Sequence, residues 1–262
     1  MSLGICVRGP EGLVLAAESR ASLNWPMQDG SSVPLTYDTA NKLLTFTSHN
    51  YVAGVTYGLA GIGYRTAYSF VPEIEADLPS QRISVEDFAR RLSNFFMEQW
   101  KKIPELKDYK GSPMFFVVGG YNDKEPYGRA YEMFIPYRPE PAELPTFGIT
   151  WGGQREIVDR LIKGYDASLP QRLSEAWSLT EEQVNAVPQI AQPIELIFPL
   201  QAMALQDLVD AAILLVRTTI ETQRLTAMVR GCGGPIDAVT ITRRDGVKPV
   251  QEKEVRGERT LN

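Results

Sequence analysis

Histidine and cysteine are scarce in this sequence, which limits the kinds of catalytic and metal site that it can form. Its 262 residues include one histidine, His49, and two cysteines, Cys6 and Cys232. Two cysteines provide neither a disulfide framework nor the spacing of a metal-binding motif, so we expect no metal site and regard both as core residues. A Ser-His-Asp mechanism would depend on His49, which lies in the polar stretch 47–50 and is expected to be a solvated turn residue.

Long apolar segments and an excess of positive charge are also absent. The chain carries 27 lysine and arginine residues against 32 aspartate and glutamate residues, and its net charge is −5. This balance argues against a nucleic-acid partner, because binding to phosphate groups requires positive charge. The apolar runs are far shorter than the ~20 residues of a membrane-spanning helix, and the N-terminus has no apolar signal-peptide core. We therefore expect no membrane segment and a cytoplasmic location.

The overall composition is that of a globular domain. Hydrophobic residues make up 44% and charged residues 23% of the chain, which is ordinary for a soluble protein. The length fits one domain spanning residues 1–262. Within it, the proline-rich segment at about 165–200 is expected to form a short helix and irregular chain. The polar tail from about residue 255 is expected to be frayed.

The hydrophobic pattern predicts blocks of strands that alternate with blocks of helices. Strands are expected at residues 13–17, 43–46, 52–56, 114–121, 129–135, 238–242 and about 247–252. Helices are expected at about 63–77, from residue 85 onward, at 154–162 and at 205–224, whereas 22–35 is expected to be a surface loop and 136–145 a proline-rich link. This order indicates an α+β fold in which two sheets pack face to face between helix layers.

Ser2 stands directly before two short predicted strands, and the acidic Glu18 ends the second of them. The initiator methionine is commonly removed when the next residue is as small as serine. Its removal would leave a hydroxyl group and a free α-amine on one residue, and this pair can act as nucleophile and general base together. Ser2 can equally be an ordinary second residue, so the motifs further along the chain decide between the two interpretations.

Four segments of the chain occur in an order and at a spacing that are typical of one known family. They are LVLAAESR at residues 13–20, NKLLTF at 41–46, AGVTYGLAG at 53–61 and CGGPIDAVTITRRDG at 232–246. Together they resemble the proteasome-like branch of the N-terminal nucleophile (Ntn) hydrolases, and in particular β-type subunits of a bacterial-type proteasome homologue. The resemblance implies a four-layer αββα sandwich of two antiparallel sheets between helix layers, in which residues 165–200 form an enlarged segment.

The resemblance also implies which residues form the active site. Ser2 aligns with the nucleophile, Glu18 with an acidic residue and Lys42 with the catalytic lysine of the family. The backbone N–H of Gly58 aligns with the donor that stabilises the oxyanion. A cation at Lys42 would lower the pKa of the Ser2 hydroxyl and of its α-amine, and Glu18 would hold that cation in place. The positions that line the family's specificity pocket are Ala21, Leu44, Thr56, Ala60 and Tyr64. This chemistry needs no cofactor.

Three polar residues that support the nucleophile in the family are missing from this sequence. Gly152 and Cys232 occupy two of their positions, and the third falls near Val229; a thiol is a poor replacement for a hydroxyl as a hydrogen-bond donor. Three interpretations therefore stay open. The leading hypothesis is hydrolysis of peptide or amide bonds, the alternative is a catalytically inactive proteasome-like assembly protein, and the third is a small-molecule amidase on the same fold. The resemblance further implies a homo-oligomer arranged as a ring.

Overall fold

A computed structural model describes residues 2–255 and residue 257. The structure is of the mixed α/β type, with antiparallel sheets and helices, as the α+β prediction requires. Met1 and most of the tail for which fraying is predicted lie outside the described residues. The assignment of residues 1–262 to a single domain stays a prediction.

The strands form two large sheets and two short hairpins. In chain order they are β1 (Leu3–Arg8), β2 (Leu13–Glu18), β3 (Ala21–Pro26), β4 (Ser32–Tyr37), β5 (Leu43–Thr45), β6 (Val52–Gly58), β7 (Gly61–Ile62), β8 (Arg65–Thr66), β9 (Met114–Gly120), β10 (Arg129–Ile135), β11 (Arg138–Glu143), β12 (Gly148–Gly153), β13 (Ile236–Thr242) and β14 (Gly246–Gln251). The first sheet has the order β12-β1-β2-β13-β14, and the second has the order β11-β10-β9-β6-β5. The predicted pairing of residues 114–121 with 129–135 is confirmed by the antiparallel contact of β9 with β10.

The helices are, in chain order, α1 (Val71–Asp77), α2 (Val85–Lys101), α3 (Glu156–Lys163), α4 (Leu169–Trp177), α5 (Glu181–Ala191) and α6 (Leu205–Leu225). Helix α2 begins after Ser84, whose hydroxyl oxygen accepts a hydrogen bond from the Asp87 N–H at 3.0 Å, which is the contact of an N-terminal cap. Its buried residues recur at helical spacing and face the second sheet. Among the described residues, no helix is both long enough and apolar enough to cross a lipid bilayer.

The buried side chains form three groups that follow from the alternation of each strand. One group joins α2 to the second sheet and includes Phe96. Another joins α6 to the first sheet and includes Val14 and Leu215. The third lies between the two sheets and includes Leu15 and Val117. Successive residues of a strand point to opposite faces, so β2 contributes Val14 to one group and Leu15 to another. This burial on both faces explains the uninterrupted apolar run of β2.

Residues 22–35 form an exposed hairpin, so the prediction of a surface loop there is wrong. Strands β3 and β4 pair with Trp25 opposite Val33 and Leu23 opposite Leu35. These four side chains share one face of the hairpin, because residues two apart on a strand point the same way. The two prolines of the segment concealed this pattern, although proline is tolerated in a two-stranded hairpin, where each strand has an unpaired edge.

The structure differs from the sequence-based expectation in three further segments. The link at 136–145 contains strand β11, which pairs with β10. The helix expected at 63–77 is shorter: the small hairpin of β7 and β8 is followed by a 3-10 turn at Tyr68–Phe70 and then by α1, which has Pro72 in its first turn. In the segment 165–200 the chain forms α4 and α5, and α5 begins with a capping box between Thr180 and Gln183.

Candidate active site

Ser2 lies immediately before β1, at the point where the chain enters the first sheet. Its carbonyl oxygen accepts a hydrogen bond from the Gln154 N–H at 2.8 Å, and 6% of the residue is exposed. It lines a narrow pocket, and Lys42, Thr56 and Gly58 line the same pocket. The folded chain therefore brings Ser2 close to residues that follow it by 40 to 56 positions in the sequence.

Glu18, at the end of β2, is buried, and both oxygens of its carboxylate accept hydrogen bonds. Oε1 accepts from the Leu3 N–H at 3.2 Å and from the Lys42 ammonium group. Oε2 accepts from the Arg20 N–H at 2.7 Å and from the Gly233 N–H at 3.1 Å. A buried carboxylate is costly unless it is paired and hydrogen-bonded, and these contacts satisfy both conditions. Glu18 thereby joins the start of β1, the loop before β5 and the loop before β13.

Lys42 lies one residue before β5 and points its ammonium group at Glu18. The same ammonium group donates a hydrogen bond to the Arg20 carbonyl oxygen at 2.6 Å, and the side chain is buried. Burial lowers the pKa of Lys42, and the Glu18 carboxylate opposes this shift by favouring the charged form. A buried lysine with a lowered pKa and a specific charge partner in a pocket is a typical feature of a functional site.

Gly58 ends β6 at the rim of the pocket, in a backbone conformation that only glycine adopts easily. Its φ is +86°, and a Cβ atom at this position would overlap the Pro113 carbonyl oxygen. The next N–H, that of Leu59, donates to the Pro113 carbonyl oxygen at 3.0 Å. The turn therefore requires glycine for steric reasons, whether or not its N–H also contacts a substrate.

The residues predicted to bind substrate divide into two groups. Ala21, Thr56 and Ala60 line the Ser2 pocket, and the Thr56 hydroxyl is buried without a hydrogen-bond partner among the described residues. The other two lie elsewhere. Leu44 packs in the core on the side of α2. The preceding residue of β5, Leu43, faces the first sheet, and successive residues of a strand point to opposite faces. Tyr64 is fully exposed in the turn between β7 and β8 and lines a separate groove.

Packing between the two sheets requires a glycine at position 152. Gly152 of β12 pairs with Gly4 of β1, and the Tyr57 ring from the second sheet lies over this pair. A Cβ atom at either glycine would overlap the ring. The ring in turn stacks on Phe115, with 5.1 Å between centroids. A serine at position 152 is therefore incompatible with the position of Tyr57, because an aromatic ring from the opposite sheet takes the space that its side chain would need.

The two other positions for which supporting residues are missing lie in different environments. Val229 is 69% exposed and is not a lining residue of the Ser2 pocket. Cys232 is buried, and desolvation raises the pKa of its thiol, with the nearby Glu18 carboxylate acting in the same direction. The thiol is therefore neutral at physiological pH. Cys6 is also buried, so the prediction that both cysteines are core residues is confirmed.

Two buried glutamines next to the site were not recognised from the sequence. Gln223 of α6 donates a hydrogen bond to the Gln154 side-chain oxygen, and the Gln223 side-chain oxygen accepts from the Cys232 N–H at 2.8 Å. Gln154 and Gln223 are 69 residues apart and belong to no motif. The signal in the sequence is a polar residue at position 223, on the buried face of α6, where Thr219 is the one other polar residue.

His49 is buried rather than solvated, so this prediction is wrong. The residue is 1% exposed, and its ring lies 5.7 Å from the rings of Tyr51 and Phe88. The Ser48 hydroxyl contacts Nδ1 at 3.0 Å. The turn that contains His49 packs against α2, which covers the imidazole. In the part of the chain that the structure describes, no group of three or more histidine, cysteine, aspartate or glutamate side chains is placed to hold a metal ion.

Two solved structures that are similar to this chain are Anbu proteins. An Anbu mutant from Hyphomicrobium sp. strain MC1 has a TM-score of 0.59 and 13% sequence identity, over 96% of this chain and 88% of that chain. The helical assembly of the Anbu complex from Pseudomonas aeruginosa has a TM-score of 0.59 and 15% identity, over 98% of this chain and 88% of that chain. The chain has an Anbu-like fold.

These comparisons correct the family suggested by the motifs. Anbu proteins form a proteasome-related family that differs from proteasome β-subunits, so the assignment of the chain to the β-subunit family of bacterial-type proteasomes is wrong. No protein-family model and no curated protein matches the chain. The sequence motifs correctly indicated a proteasome-like fold, because they describe the strands and glycine turns of its core. The motifs did not identify the family. The sequence identity of 13–15% between this chain and the two Anbu structures shows the fold alone.

Proposed function

We propose that the protein hydrolyses amide bonds of a peptide or peptide-like substrate, with Ser2 as an N-terminal nucleophile once Met1 has been removed. The observation that carries this proposal is the buried contact of Lys42 with Glu18 in the wall of the pocket that Ser2 lines. Such a pair is costly to bury, and a pocket with a serine, a buried cation and a glycine turn has the parts that acyl transfer requires.

The reaction follows from the chemistry of these groups. The Ser2 hydroxyl attacks the substrate carbonyl carbon, and the α-amine of the same residue accepts the hydroxyl proton, directly or through a water molecule. The Lys42 ammonium group stabilises the negative charge on the attacking oxygen, while the Gly58 N–H stabilises the oxyanion. The C–N bond breaks as the α-amine returns the proton to the leaving nitrogen. Water then hydrolyses the Ser2 ester, which releases the acid and restores the hydroxyl.

The pocket, which small residues line, favours an uncharged substrate side chain. Ala21 and Ala60 contribute small apolar surface to it. The Thr56 hydroxyl offers a hydrogen bond that no described residue satisfies, so a substrate with an amide or hydroxyl group at this position would supply the missing partner. A small-molecule amide with these features is the second substrate class that the pocket fits.

The proposal includes the four-layer αββα arrangement. Its support is the division of the core into three groups, one on each side of the two sheets and one between them. In this arrangement the pocket lies where the start of the first sheet meets the end of β6 in the second sheet. A cytoplasmic location stays a prediction.

A catalytically inactive assembly protein is the alternative. Two observations favour it: Gly152 carries no hydroxyl because Tyr57 occupies the space, and the Cys232 thiol is a weak donor. In that case the Glu18–Lys42 pair would serve only to hold three segments of the chain together.

Mass spectrometry of the protein before and after treatment with a serine-reactive β-lactone tests the proposal. We expect the untreated protein to lack the mass of Met1 and the treated protein to carry one acyl group on Ser2. Retention of Met1, or a protein without an adduct on Ser2, would support the inactive alternative.

We further infer that the protein forms a homo-oligomer through the hairpin of β3 and β4. Trp25, Val33 and Tyr37 lie on its apolar face and are 50%, 42% and 56% exposed. An isolated two-stranded hairpin is only marginally stable in water, so contact with a second copy of the chain would stabilise it. A similar fold occurs in a structure described as a helical assembly of the Anbu complex. The ring arrangement stays a prediction.

Size-exclusion chromatography with light scattering measures the oligomeric state. We expect a species larger than the 29.2 kDa chain, and we expect Trp25→Lys to shift it toward the monomer, because a charge on the apolar face opposes its burial. Asn24→Lys places the same charge on the opposite face of β3 and should leave the assembly unchanged. A monomer in the unaltered protein at micromolar concentration would exclude the self-association.

A further inference from the structure

The two buried glutamines beside the candidate site form a connected group with Cys232. Gln154 is 6% exposed and Gln223 is 1% exposed. The Gln154 side-chain oxygen accepts hydrogen bonds from the Gln223 amide and from the Cys232 thiol, the latter at 3.6 Å. The Gln223 side-chain oxygen accepts from the Cys232 N–H at 2.8 Å. We call these three residues the amide cluster.

The amide cluster connects the two ends of the candidate site through the main chain. On one side, the Gln154 N–H holds the Ser2 carbonyl oxygen at 2.8 Å. On the other side, Gln223 holds the N–H of Cys232, and the next N–H, that of Gly233, donates to Glu18 Oε2 at 3.1 Å. A displacement of Gln223 would therefore change the positions of both Ser2, which carries the nucleophile, and Glu18, whose carboxylate holds Lys42.

The packing around the amide cluster leaves it little freedom. The backbone of Gly231 lies so close to the Gln154 side chain that a Cβ atom there would overlap the amide group. Gln223 is held within α6, whose neighbouring turn is fixed in the core by Thr219 and Leu215. Each buried amide group costs free energy unless it is hydrogen-bonded. An apolar residue at position 223 would avoid this cost, yet the chain has a glutamine there.

We propose that Gln154 and Gln223 are positioning residues of the reaction, which set the location of Ser2 relative to the Glu18–Lys42 pair. This inference rests on the proposed function. The amide cluster contains Cys232, where a thiol stands in place of a hydroxyl group. Two carboxamides, one that follows β12 and one from α6, hold this residue in place: Gln223 accepts from the Cys232 N–H, and Gln154 accepts from the Cys232 thiol.

The rate of Ser2 acylation by the β-lactone provides the test, because it reports the reactivity of the nucleophile directly. Gln223→Met keeps the volume of the side chain but removes both of its hydrogen bonds. We expect the maximal acylation rate to fall by about 10–100-fold, as is typical when a residue that orients a reactive group is removed. The lactone concentration at half-maximal rate should not change, because the residues that line the pocket are intact.

Thr219→Val is the matched control. It removes a different buried hydrogen bond on α6, from the Thr219 hydroxyl to the Leu215 carbonyl oxygen at 3.0 Å, one turn before Gln223. We expect a loss of thermal stability in both variants and a loss of acylation rate only in Gln223→Met. An equal fall of the rate in the two variants, or an unchanged rate in Gln223→Met, would overturn the positioning role.

Gln223→Glu provides a second test, which can be carried out even if Gln223→Met does not fold. An ionised carboxylate at position 223 could not donate to the Gln154 oxygen, whereas the protonated acid could, and burial raises the pKa of a carboxyl group. We expect the ratio of the acylation rate of this variant to that of the unaltered protein to rise as the pH is lowered. A ratio that stays constant with pH would contradict the inference. Absence of acylation in the unaltered protein would overturn the proposed function and this inference together.

Discussion

Replacing Ser2 with alanine is expected to reduce amide hydrolysis by at least ~10³-fold, because the covalent route disappears with the hydroxyl group. Alanine is as small as serine, so removal of Met1 should proceed as before and the α-amine should stay in place. The carbonyl oxygen at this position would still accept the Gln154 N–H, and the fold should be preserved. The measurement is the turnover of a fluorogenic peptide amide, with the melting temperature recorded in parallel.

Ser19→Ala is the matched control for this variant. The Ser19 hydroxyl is also buried, lies next to Glu18 in the chain and has no hydrogen-bond partner within residues 2–255 and 257. Its removal should leave turnover unchanged, and it should not lower the free energy of unfolding, since a buried unpaired hydroxyl group is unfavourable. Full activity in Ser2→Ala would show that another group carries the reaction and would overturn the assignment of Ser2 as the nucleophile.

Replacing Lys42 with methionine is expected to reduce turnover by at least ~10²-fold, in the range for the loss of one positioned electrostatic group. Methionine keeps the apolar stem of the side chain but removes the charge that faces Glu18 and the Arg20 carbonyl oxygen. Glu18 would stay buried without a cation beside it. Its carboxylate would still accept hydrogen bonds from the N–H groups of Leu3, Arg20 and Gly233. Arginine at this position should not restore activity, because its planar guanidinium group differs from an ammonium group in shape.

The stability cost of breaking a buried ion pair has to be separated from the catalytic effect. Lys253→Met breaks a second buried pair, the one that Lys253 forms with Asp237, and neither residue lines the Ser2 pocket. Loss of one partner of a buried pair costs about 3–5 kcal/mol, so both variants should unfold at lower denaturant concentration. Only Lys42→Met should lose turnover per folded molecule. A fully active Lys42→Arg protein, or equal losses in Lys42→Met and Lys253→Met, would indicate that the lysine is structural.

The elements that could be predicted are those whose residues interact over short distances in the chain. The apolar run of β2, the hairpin of β9 and β10 and the faces of α2 and α6 depend on periodicity within each segment. The hairpin of β3 and β4 was missed because its apolar face is exposed and two prolines interrupt the pattern. His49 was misjudged because its local sequence is polar, whereas its burial depends on α2, which begins 36 residues later.

The candidate site was predicted in part, and through the resemblance rather than through local patterns. The residues that the fold brings together at the Ser2 pocket include Lys42, Gly58 and Thr56. Leu44 and Tyr64 were placed in the same pocket by alignment alone. The alternation of side chains on β5 directs Leu44 into the core, and the turn between β7 and β8 directs Tyr64 into solvent.

Patterns within the amino-acid sequence are sufficient to predict antiparallel sheets and amphipathic helices, and they place Ser2, Glu18 and Lys42 at spacings typical of a proteasome-like fold. These properties depend on hydrophobic periodicity and on short motifs, which any one segment carries within itself. The contact of Tyr57 with Gly152 and the hydrogen bond between Gln154 and Gln223 become visible only in the folded chain. These contacts join residues about 70 to 95 positions apart, and packing between sheets and helices, rather than any local preference, selects them.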